Sequence, residues 1–86
     1  MSATIKDLEA AATKARDANR LATCAVIGTA RALVMVAREG HFTLFALEGL
    51  SAAVDAQRET EQAVVLAGAA LLAALATERR EEGAAP

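Results

Sequence analysis

Fourteen consecutive residues, Ala63 to Ala76, carry no polar side chain, and seven of them are alanine. Wound into a helix, this run is apolar all round, whereas a surface helix of a soluble domain keeps one polar face. It is shorter than the roughly 20 apolar residues that a bilayer-spanning helix needs. It must therefore be covered, by the rest of a bundle, by a second subunit or by a partner. Val64, Val65, Gly68, Leu71, Leu72 and Leu75 are the positions in it expected to mediate self-association.

The rest of the composition points the same way. Of 86 residues 55% are hydrophobic, but 24 are alanine, and Phe42 and Phe45 are the only aromatic side chains. Alanine is the best helix former yet contributes little buried area. A thin core of this kind is expected to be completed by oligomerisation or by a partner. The single proline is Pro86, so nothing in the body of the chain forbids long helices. The reading is one all-α domain over residues 1–82, with residues 83–86 as a frayed tail.

The first helix is expected over 5–38. Thr4 followed by Asp7 has the form of a capping box. At about 100° per residue, Leu8, Ala11, Ala15, Ala18, Ala22, Ala25, Val26, Thr29, Leu33 and Val36 gather on one side. Lys6, Arg16, Arg20, Arg31 and Arg38 gather on the other. Gly40 suits the left-handed residue that ends a helix, and Arg38 suits its negative terminus. Thr43 can cap a second helix from about residue 44, with Phe42 stapled to Leu47. So short a connection makes the two helices antiparallel neighbours. The apolar stripe of Leu47, Leu50 and Val54 then meets five polar residues, Arg58 to Gln62. Either the helix continues there where the bundle is open to water, or it breaks or kinks; a break is the expectation, and it divides the second half into helices over 44–58 and 61–82. The fold is thus an antiparallel helical hairpin or a three-helix arrangement with a long N-terminal helix.

No catalytic residue, cofactor site or metal site is expected. His41 is the only histidine and stands in the turn, while Cys24 is the only cysteine and falls among apolar neighbours. Gly28, Gly49 and Gly68 are isolated within helices and form no phosphate-binding loop. The N-terminus lacks a basic region leading into an apolar stretch, so no signal peptide is expected. Leu21–Ala37 is a second apolar run, but Arg31 interrupts it. The expected setting is cytoplasmic, with no membrane.

Residues 1–40 carry six basic and four acidic side chains, and residues 41–86 carry three and seven. The basic side of the first helix is the best candidate for a partner surface. Arg16, Arg20, Ile27, Arg31, Val34 and Arg38 combine arginines with aliphatic residues, a mixture typical of protein interfaces. Nucleic acid is the second possibility, but there is no aromatic to stack on bases here and the net charge is −2. The expected function is a non-catalytic protein-binding module, a small adaptor or an inhibitor of a larger complex of the kind that phages and mobile elements encode. The alternatives are a nucleic-acid-associated regulator and a structural homo-oligomer.

Overall fold

A computed structural model describes residues 4–41 and 44–84. Two long helices account for nearly all of them: α1 spans Ile5–Arg38 and α2 spans Leu44–Ala84. They pack against each other as a hairpin, and no strand occurs among the described residues. The result is a rod of 73 × 18 × 15 Å with a radius of gyration of 19.7 Å. A compact domain of this length would have a radius of about 12 Å.

Local chemistry sets both ends of α1. The Thr4 hydroxyl accepts from the Asp7 amide at 3.1 Å, and the Thr4 amide donates to Asp7 Oδ2 at 3.3 Å, which completes the capping box. At the other end Gly40 takes a φ of 79°. Its amide donates to Ala37 O at 3.1 Å, and the His41 amide donates to Val36 O at 2.9 Å. This paired arrangement satisfies the last carbonyls and turns the chain sharply. The expected Thr43 cap and Phe42 staple lie outside the described residues.

The second half departs from expectation. α2 runs without interruption through residues 58–62, so 44–58 and 61–82 are one helix and there is no three-helix arrangement. It also continues through Gly83 and Ala84, where a frayed tail was expected. The five polar residues do not break the helix because most of them face water: Arg58, Glu59, Glu61 and Gln62 are exposed, and only Thr60 is drawn toward α1. There its hydroxyl lies 2.9 Å from Asn19 Oδ1 and 2.8 Å from the Gln57 carbonyl, and its one proton is shared between these two acceptors.

Most side-chain shielding follows an alternation of three and four residues, with Thr23, Ala30, Val54 and Gly68 half-buried beside it. On α1 the shielded series is Ile5, Leu8, Ala12, Ala15, Asn19, Ala22, Val26, Thr29, Leu33 and Val36. On α2 it is Ala46, Leu50, Ala53, Gln57, Thr60, Val64, Ala67, Leu71 and Ala74. Both are the 3.5-residue repeat of a two-helix seam. With Asn19 level with Thr60, equal rise along two antiparallel helices puts Ile5 level with Ala74, Ala12 with Ala67, Val26 with Ala53 and Leu33 with Ala46. In each of these pairs the α2 residue is alanine, opposite Ile5, Val26 and Leu33 or opposite Ala12, which lets the helices approach closely. Ala46, Ala53, Ala67 and Ala74 supply these small contacts. Gly28 and Gly49 are exposed instead, and a Cβ added at either would meet nothing within 4 Å.

Candidate protein-docking surface

A two-helix seam cannot enclose side chains. Ala12, at 4% exposure, is the one buried core residue among those described. Many larger apolar side chains also lie outside the seam, Leu21, Ile27, Val34, Met35, Phe45, Val65 and Leu72 among them, and their distribution defines the candidate surfaces.

The loop-proximal half of α1 carries the more developed one. Ile27, Ala30, Arg31, Val34, Met35 and Arg38 line a shallow open groove of about 490 Å³. They recur at three and four residues, so consecutive turns of one helix stack them along its outer side. Ile27 and Val34 are each 50% exposed and Met35 is 61% exposed. Arg31 and Arg38, two turns apart, flank this apolar floor. Neither forms an ion pair among the described residues, where the one such pair joins Arg20 to Asp17 at 3.6 Å. The groove thus offers an apolar strip with two uncommitted guanidinium groups, each able to bind a carboxylate in bidentate fashion.

Four of the six expected partner-binding residues, Ile27, Arg31, Val34 and Arg38, come together here. Arg16 and Arg20 lie in the loop-distal half and do not join them. Arg16 Nε donates to the Ala12 carbonyl at 3.4 Å, and Arg20 holds the exposed ion pair just described. Met35 and Ala30 belong to the groove but were not among the expected residues. Their spacing of three or four from Arg31, Val34 and Arg38 is the signal that places them there.

The expected self-association residues split between two sides of α2. Val64 and Leu71 are half-buried in the seam with α1. Val65 and Leu72 are exposed on the outer side, Leu75 is exposed beside them, and Gly68 has open space above it. The apolar run is therefore covered on one side by the chain itself. Leu44, Phe45 and Leu47 add exposed apolar surface at the start of the same helix.

Cys24 is exposed on α1, which corrects its expected place among apolar neighbours. Along the helix it stands roughly 24 Å from the turn that holds His41. No group of three or more His, Cys, Asp or Glu residues that could hold a metal ion occurs among the described residues.

By length and composition alone, both helices are apolar enough to cross a membrane, each with a window of mean hydropathy 1.5. The hairpin register sets their apolar stretches at different levels. Leu21–Ala37 runs beside the part of α2 that carries Glu48, Asp55 and Arg58, whereas Ala63–Ala76 runs beside the part of α1 that carries Lys6, Glu9, Lys14 and Arg16. No protein-family model matches the chain, no curated protein matches its sequence, and no solved structure matches it.

Proposed function

We propose that the chain is a non-catalytic protein-binding module, a small adaptor or an inhibitor of a larger complex, which docks its partner on the loop-proximal half of α1. The observation that carries this reading is the groove of Ile27, Ala30, Val34 and Met35 between Arg31 and Arg38. Half-exposed aliphatic side chains in a row lose water when covered, and the unpaired arginines supply direction and selectivity. The surface fits an amphipathic helix or strand with apolar residues at its centre and carboxylates at its rim. It fits nucleic acid less well, because the two arginines flank an apolar floor and no aromatic lies between them.

The reading places the hairpin in water, in the cytoplasm. Charged side chains are costly at bilayer depth, and beside each apolar stretch of this hairpin the other helix carries charges.

The test is affinity capture from the native host with the intact chain and two double variants. Ile27→Ala/Val34→Ala and Arg31→Glu/Arg38→Glu should each lose the captured protein while keeping the helical signal, since exposed charges contribute little to folding. Binding should weaken only mildly with salt. Capture unaffected by both variants would remove the groove from consideration. Capture of nucleic acid that falls steeply and linearly with log salt would replace the protein reading.

A further inference from the structure

The outer side of α2 carries a second three-and-four series, separate from the seam: Leu44, Leu47, Ser51, Val54, Arg58, Glu61, Val65, Gly68, Leu72 and Leu75. Except for Val54 and Gly68, which are half-buried, all of these are exposed. The series is symmetric about its own midpoint, between Glu59 and Thr60. Reflected there, Leu44 falls on Leu75, Leu47 on Leu72, Ser51 on Gly68, Val54 on Val65 and Arg58 on Glu61. Large residues meet large ones, small meet small, and the one basic residue meets the one acidic residue.

We infer that this stripe is the contact surface for a second copy of the chain, with the two α2 helices antiparallel about a two-fold axis beside Thr60. A two-fold contact must be self-complementary, since each residue meets the reflection of its own series. The order Leu-Leu-Ser-Val-Arg-Glu-Val-Gly-Leu-Leu meets that condition at every position. At the axis it makes two reciprocal Arg58–Glu61 pairs between copies, and neither residue forms an ion pair within the hairpin among the described residues. The contact runs for about 47 Å along the helix.

The exposed area is sufficient for such a contact. The chain exposes 6726 Å². A compact monomer of 8.8 kDa would expose only about 4,800 Å². The surplus of about 1,900 Å² exceeds the ~800 Å² that each partner contributes to a standard interface. The corresponding side of α1 lacks the symmetry, because Lys6, Glu9, Arg16 and Arg20 occupy its distal half and Ile27, Ala30 and Val34 its proximal half. The self-complementarity belongs to α2 alone, and it is independent of the docking groove on α1.

Sedimentation of the full chain tests the inference, together with charge reversal and disulfide trapping. The wild type should sediment as a dimer. Arg58→Glu or Glu61→Arg alone sets like charges against each other twice and should weaken the dimer about a hundredfold. Arg58→Glu/Glu61→Arg together restores opposite charges across the axis and should recover it. In a Cys24→Ser background, Val54→Cys/Val65→Cys should oxidise to a covalent dimer, while either cysteine alone should not. Within one chain those two positions lie about 16 Å apart, beyond disulfide reach. A monomeric wild type would overturn the inference. So would single reversals that leave the dimer unchanged, a double reversal that fails to restore it, or crosslinking through one cysteine alone.

Discussion

Asn19 and Thr60 meet across the seam through a hydroxyl-to-amide-oxygen hydrogen bond of 2.9 Å, near the middle of both helices. The neighbouring layers of the seam are largely alanine and aliphatic, so a slip by one heptad would cost little in packing. It would, however, part these two polar groups. A polar contact across a mostly apolar seam fixes register at some expense of stability.

Asn19→Leu should therefore raise stability by about 1–2 kcal/mol, because apolar surface replaces a half-buried amide. The Thr60 hydroxyl keeps the Gln57 carbonyl as acceptor. Urea denaturation should report the gain, and amide NMR spectra should show more than one species as the register loosens. A less stable variant with a single set of peaks would mean that Asn19 acts through stability instead.

The loop and helix glycines should respond with opposite signs. Gly40 has a φ of 79°, which a side chain tolerates poorly even though the space around it is open. Gly40→Ala should destabilise by about 1 kcal/mol. Gly49 is helical with open space above it, so Gly49→Ala should stabilise by about 1 kcal/mol. Chemical denaturation of the two variants checks both signs.

Leu71 and Leu72 are adjacent but face different surroundings. Leu71 is half-buried in the seam, whereas Leu72 is 69% exposed. Leu71→Asp should cost about 3 kcal/mol or more by placing a carboxylate between the helices. Leu72→Asp should leave the helical signal intact and reduce the sedimenting mass. Circular dichroism with sedimentation separates the two effects, and equal loss of helicity in both variants would contradict the assignment of faces.

The ends of α1 were legible because capping is local: Thr4 with Asp7, and Gly40 after Arg38, specify their own geometry. The seam was less so. A fixed 100° frame drifts about 20° per heptad from a 3.5-residue repeat. Along α1 this drift placed Ala11, Ala18 and Ala25 on the expected inner face, although all three are exposed. Ala12 and Asn19, which are shielded, were passed over. The continuity of α2 was hidden because Arg58 to Gln62 reads as a break until Asn19 supplies a polar partner for Thr60. The groove was legible for Ile27, Arg31, Val34 and Arg38, which share one length of helix. Arg16 and Arg20 fall on the same side in sequence, but on one helix Arg16 lies about 16 Å from Ile27 and so stands apart from the groove.

The most direct test of the docking account is site-specific photocrosslinking in the native host, with a photoreactive residue in place of Val34 or, as a control, in place of Ala18. Val34 lies in the groove and Ala18 is exposed outside it. The account predicts one adduct with a single other protein from the Val34 position, none from the Ala18 position, and loss of the adduct in Arg31→Glu/Arg38→Glu. The same adduct from both positions, or none from Val34, would contradict it.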